Sequence, residues 1–112
     1  MFTYAVITST GLMVVRELQE AMTYDEMVGV VHGYIEAVYL DGVVAYVNEE
    51  GKLEGLPKNQ VATDLAHAHN AIYGDDWIAG NMLIAGECDD EGEMMPLTIE
   101  WINANLKEIA NV

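Results

Sequence analysis

The stretch YIEAVYLDGVVAYVN, Tyr34 to Asn48, decides the fold. Two β-branched and aromatic runs flank Asp41-Gly42, the favoured pair for a two-residue type I′ hairpin turn. That register sets Leu40 opposite Val43, Val38 opposite Ala45 and Glu36 opposite Val47, all on one face. Ile35, Ala37, Tyr39, Val44 and Tyr46 share the other. Both faces are mainly apolar, so the hairpin is expected to be central, covered on both sides by helices, a second sheet layer or a partner subunit. Glu36 is the exception. A carboxylate there is expected at an element's end or against a backbone donor rather than as a perturbed functional acid.

Working outward, FTYAVIT is an aromatic and β-branched strand, Ser9 to Gly11 form a turn, and LMVVREL returns as a second strand. Thr23 and Glu26 have capping-box spacing, with Met22 and Met27 as the hydrophobic staple. Tyr24, Met27, Val28 and Val31 then recur at helical spacing, and Gly33 is the expected stop. After the hairpin, Glu50-Gly51 is expected to turn tightly and let Lys52-Leu53 continue the sheet. Asn59 can cap a helix whose inward stripe is Val61, Leu65, Ala68 and Ile72, ended by Gly74. DDWIAGNMLIAGE reads as a strand broken near Gly80-Asn81. CDDEGEMMP is an acidic loop, and Thr98 or a near neighbour caps a last helix with Ile99, Ile102, Leu106 and Ile109 inward. The expectation is one α+β domain over 1–112. It has a mostly antiparallel sheet, a central β-hairpin (about 34–40 and 43–48) and about three helices (about 24–32, 60–72 and 99–110).

Charge is the strongest compositional signal: 19 acidic residues against 4 basic ones, a formal net charge of −15. Duplex DNA carries one negative charge per ~1.7 Å, so this chain has the charge of about 25 Å of duplex. Direct contact with nucleic acid or an anionic membrane surface is therefore repulsive, and a basic protein surface, or cations, are the fitting partners. The single cysteine, Cys88, precludes an internal disulfide and fits a reducing compartment. The first residues lack a basic n-region, and no apolar run reaches the roughly 18 residues of a membrane span. A cytoplasmic location is the expectation.

Few residue patterns suggest chemistry. Glu87, Asp89, Glu91 and Gly92 fit positions 1, 3, 5 and 6 of a calcium loop, but Thr98 stands where a bidentate glutamate is needed. His67 and His69 fall on different sides of a helix, without a further ligand at metal spacing. Cys88 has acidic neighbours, which oppose a thiolate. With neither a phosphate loop nor a nucleophile elbow, the chain reads as a non-enzyme without metal or cofactor. Asp75, Asp76, Glu87, Asp89, Asp90, Glu91 and Glu93 are the candidate partner-binding residues, forming one anionic cluster if both groups flank the same strand. Met94 and Met95 could add an adaptable contact patch.

The ordered motifs Gly33-Tyr34-Ile35-Glu36, Asn48-Glu49-x-Gly51-Lys52, Gly55-Leu56-Pro57-x-Asn59, Gly80 and Gly86 span about residues 28 to 87. They resemble a family of small bacteriophage and mobile-element proteins, a domain of unknown function. The resemblance brings no reaction or catalytic residue with it, and these motif residues read as structural. It implies an accessory gene of an invading element, and such elements gain by blocking host proteins with basic nucleic-acid-binding surfaces. The working expectation is inhibition of a host protein, in defence or nucleic-acid binding, by nucleic-acid mimicry. A domain sequestering a small molecule or nucleotide is the second reading, revived by a pocket of Tyr34, Tyr39 or Tyr46 near Lys52, Lys58 or Arg16. A self-associating module, a homodimer through the hairpin, is the third.

Overall fold

Strict alternation along the strands sends side chains to two separate cores. The computed structural model describes residues 1–106. Its elements run β1 (Phe2–Ile7), β2 (Met13–Leu18), α1 (Tyr24–Val31), β3 (Ile35–Leu40), β4 (Val43–Asn48), α2 (Gln60–Ala68), β5 (Met82–Gly86) and α3 (Ile99–Asn105). The sheet has the order β2-β1-β5-β4-β3 with every neighbour antiparallel, an α+β fold. Ala5, Ile7, Val43, Ala45, Val47, Met82 and Ile84 face α2 and α3, meeting Leu65, Ala66, Ile102 and Leu106. Phe2, Val44, Tyr46, Leu83 and Ala85 face α1, meeting Met22, Met27 and Val31. Each Val, Leu, Ile, Phe or Met among them contributes roughly 1.5–3 kcal/mol when fully buried, and each alanine less.

The hairpin has the register read from the sequence, from Ile35 opposite Asn48 to Leu40 opposite Val43. Its two strands nevertheless differ in burial. β4 is buried along its whole length, whereas β3 is an edge strand with Glu36, Ala37 and Tyr39 exposed. The eight-residue α1 is too short to cover that side of the sheet. The turn also differs: only Gly42 takes a positive φ, +85°, which matches type II rather than type I′.

The capping box of α1 is present, with Thr23 Oγ1 accepting from Glu26 N–H and Glu26 Oε1 accepting from Thr23 N–H. Tyr24 is exposed, so the inward face is Met27 and Val31 with Val30 alongside. His32, not Gly33, takes the left-handed conformation that ends α1. Gly33 is required for another reason. A Cβ there would stand 2.6 Å from Asn48 Nδ2, itself donating to the carbonyls of Val31 and His32.

Residues 49–55 are a run of turns rather than more sheet: Glu54 N–H donates to Glu50 O and Leu56 N–H to Gly51 O. α2 stops at Ala68, short of the expected 72, because Asn70 turns left-handed at φ +55°. Its buried positions are Ala62, Thr63, Leu65 and Ala66; of the expected stripe, Leu65 is buried, Val61 and Ile72 pack against the core half-buried, and Ala68 is exposed. α3 begins after its Thr98 cap as expected, but Ile99 is exposed while Ile102 and Leu106 are buried. Ile109 and the end of the expected 99–110 helix lie outside the described residues.

Candidate functional site

β5 ends at Gly86, which pairs with Val43 beside the Asp41-Gly42 turn. The acidic loop therefore leaves the sheet at the hairpin-turn end. Cys88 and Met94 form an antiparallel bridge that closes it. Within it Asp89 is a scaffold acid: its Oδ1 accepts from the N–H groups of Glu91 and Glu93, both at 2.9 Å. The carboxylates of Asp90, Glu91 and Glu93 are exposed at the tip. Trp101 brings α3 to the same end, its Nε1–H donating to Asp41 O at 2.8 Å, which places Glu100 nearby. His69 stacks on Trp101 with ring centroids 5.8 Å apart, and its Nδ1 accepts from Asp41 N–H.

The result is an acidic end, or pole, of the sheet, with Glu87, Asp89, Asp90, Glu91 and Glu93 towards the α1 face and Asp41 and Glu100 at the hairpin turn and on α3. Among the described residues its basic counterparts are elsewhere. Lys58 bridges Ala79 at the opposite end of β5, Lys52 lies near that end, and Arg16 is on the far edge strand β2.

Asp75 and Asp76 do not join this pole. Asp76 bonds Lys52, and its backbone carbonyl meets His67 Nε2 at 2.9 Å, on the α2 side of the sheet. The acidic loop instead packs Met94 against the α1-side core. The Lys52 hydrogen bond, helped by Trp77 N–H, holds the Asp76 carboxyl below its usual range. Both partners are about half exposed, so the pair contributes under about 1 kcal/mol. Lys52 therefore neutralises Asp76 rather than Glu49, Glu50 or Glu54, and its ammonium lies 5.0 Å from the Trp77 ring centre.

Beside this ion pair a groove of about 710 Å³ runs between β3 and the segment from Asn70 to Ala79. Glu36, Val38 and Tyr39 line one wall, Ile72, Tyr73 and Trp77 the other, and Glu49, Lys52 and Leu53 lie at its end. Among the described residues no three His, Cys, Asp or Glu side chains gather as a metal site. None of the helices found there is long and apolar enough to cross a membrane.

A family model described as a domain of unknown function (DUF3846) matches residues 3–110. The chain belongs to this family. No curated protein and no solved structure matches it.

In this DUF3846 domain the motif glycines and asparagines interlock. Besides Gly33 against Asn48, a Cβ on Gly51 would meet Ala79 O at 3.0 Å, and one on Gly80 would meet Leu56 Cδ1 at 2.9 Å. Pro57 O accepts from Gly80 N–H, and Gly55 turns at φ +74°. Tyr34 and Glu49 are joined through their backbones, Glu49 N–H donating to Tyr34 O at 2.8 Å. Of the pocket residues considered from the sequence only Tyr39 and Lys52 line the groove, and its Ile72, Tyr73 and Trp77 wall was not foreseen, because the walls come from segments far apart in the chain. Sequence reasoning also missed Asp41 and Glu100, which stand alone in sequence.

One buried group beside the pole titrates abnormally. Burial, with Cys88 and Tyr39 alongside, raises the Tyr46 phenol from 10.0 to about 12. The folded state therefore keeps its proton where the unfolded chain has lost it. Stability should fall as pH rises from about 10 towards 12, by up to about 2–3 kcal/mol. Urea denaturation of wild type and Tyr46→Phe across that range checks this; equal alkaline losses in the two would contradict it.

Proposed function

We propose that this DUF3846 domain is a non-enzymatic accessory protein of a bacteriophage or similar mobile element. In the host cytoplasm it binds a basic surface of a host protein and blocks it, as a nucleic acid would occupy that surface. The acidic pole carries this reading. A formal charge of −15 resides on a body of 34 × 29 × 26 Å, close to the charge density of duplex DNA. Such a field accelerates encounter with cationic surfaces and disfavours anionic ones.

The test is capture of host lysate proteins on the immobilised domain across a salt titration. Wild type should retain nucleic-acid-binding proteins at low salt and release them as salt rises. A variant combining Asp90→Asn, Glu91→Gln, Glu93→Gln and Glu100→Gln should retain at least tenfold less. It spares Asp89, whose carboxylate organises the loop. Equal retention by that variant, or no retention of such proteins by wild type, would overturn the reading.

The nucleotide-sequestering alternative rests on the groove, which has Tyr39 and Lys52 in its lining. Its electrostatics weigh against a phosphate ligand, since Lys52 is engaged by Asp76 while Glu36 and Glu49 line the same space. Thermal-shift screening against nucleotides separates the two readings.

A further inference from the structure

The β3 edge combines three features: unpaired backbone, an adjoining groove with apolar walls, and local negative charge. Glu49 N–H donates to Tyr34 O, so the hydrogen-bonding groups of residue 34 point towards β4. The unbroken register gives the same inward direction to Glu36, Val38 and Leu40. The N–H and C=O groups of Ile35, Ala37 and Tyr39 therefore point outward. Among the described residues none of these groups has a hydrogen-bond partner. Natural edge strands are usually blunted by proline, lysine or a bulge. β3 has none of these and only one charge, Glu36, whereas the other edge, β2, bears Arg16 and Glu17.

We propose that the β3 edge accepts an extended, basic segment of a partner protein as a sixth strand. Alternate side chains of that segment enter the groove between β3 and the Asn70–Ala79 segment. Main-chain bonds to Ile35, Ala37 and Tyr39 supply the pairing, and the groove walls supply side-chain selection. Charge selects the occupant. Among the described residues, Glu36, Glu49 and Asp76 face Lys52 alone in the groove, three negative charges against one positive, leaving a net −2. A second copy of the chain brings another −15 and another Glu36, so self-pairing at this edge is opposed. This inference does not rest on the acidic pole, which lies at the hairpin-turn end.

The test uses the whole domain and the synthetic peptide Lys-Val-Lys-Tyr-Lys-Val, with a copy N-methylated at successive backbone nitrogens. That copy keeps the charges and side chains but has no donor on either edge to offer β3. Titration followed by amide NMR should shift the Ile35, Ala37 and Tyr39 signals and slow their hydrogen exchange. The N-methylated copy should bind about tenfold or more weakly. Ala37→Pro removes an outward donor that the β4 ladder does not use, and should abolish the effect. Glu36→Lys is the milder substitution, changing only an exposed side chain, and should weaken binding similarly.

Equal binding of both peptides, with shifts confined to Asp90, Glu91 and Glu93, would mean charge attraction at the pole alone and would overturn the proposal. So would absence of binding. Sedimentation of the free domain as a dimer with those three amides protected would assign the edge to a second copy instead.

Discussion

Asn59→Ala should lower stability by about 3–7 kcal/mol, a large share of the 5–15 kcal/mol typical of a domain. The side chain is fully buried and all its polar atoms are engaged. Nδ2 donates to Ile7 O and to Gly80 O, both at 2.9 Å, and Oδ1 accepts from Ala62 N–H at the start of α2. One residue thus fastens the end of β1, the entry to β5 and the N-terminus of α2. Loss of the cap costs about 1 kcal/mol. Two buried carbonyls left without donors cost about 1–3 kcal/mol each. Asn59→Ser retains only a capping oxygen and should recover about 1 kcal/mol of the loss. Urea denaturation measures both, with an unchanged slope expected. A loss under about 1 kcal/mol in the alanine variant would show that water replaces both donated bonds.

Gly86→Ala should be comparably damaging, at about 3 kcal/mol or more. An added Cβ would stand 2.5 Å from Pro96 O and 2.9 Å from Met95 O, closer than real Cβ contacts reach. Both obstacles are backbone, and their segment is pinned. Gly86 N–H donates to Met95 O, and Leu97 N–H to Thr3 O. β5 is buried along its length between β1 and β4, so neither side can yield cheaply. Since Glu87 follows directly, the substitution should also displace the acidic loop and weaken partner capture.

Gly29 is the contrasting glycine. It lies in α1 with nothing within 4 Å of an added Cβ, so Gly29→Ala should stabilise by about 0.5–1 kcal/mol. Thermal denaturation of the two variants should therefore move in opposite directions. A Gly86→Ala midpoint within a degree or two of wild type would refute the packing argument.

Local chemistry was legible before the structure. The capping box of α1, the Asn59 and Thr98 caps, the hairpin register and the break at Gly80 each depend on groups within a few residues of one another. Helix faces were less legible. The α2 stripe held at Leu65, with Val61 and Ile72 packed against the core, but Ala68 is exposed and Ala62 and Ala66 are buried, because short apolar side chains give a weak periodic signal. Helix ends were missed where a non-glycine residue, His32 or Asn70, took the left-handed conformation.

The candidate site divides in the same way. The acids of residues 87–93 were visible as a run, but not that Asp89 organises the loop while Asp90, Glu91 and Glu93 face solvent. Asp76 looked like a free acid until the fold brought Lys52 to it across 24 positions. Asp41 and Glu100 joined the pole only because Trp101 reaches across 60 positions to the hairpin turn.

The sequence by itself determined the order ββαββαβα, the α+β class, the two faces of each strand and the charge. Those properties follow from side-chain period, capping chemistry and composition, which act locally or add without regard to arrangement. Only the tertiary structure decided that β5 lies between β1 and β4, that β3 is left as an open edge, and which acids share an end. Strand neighbours are chosen by burying distant apolar faces together, and local pattern does not record which distant face is the partner.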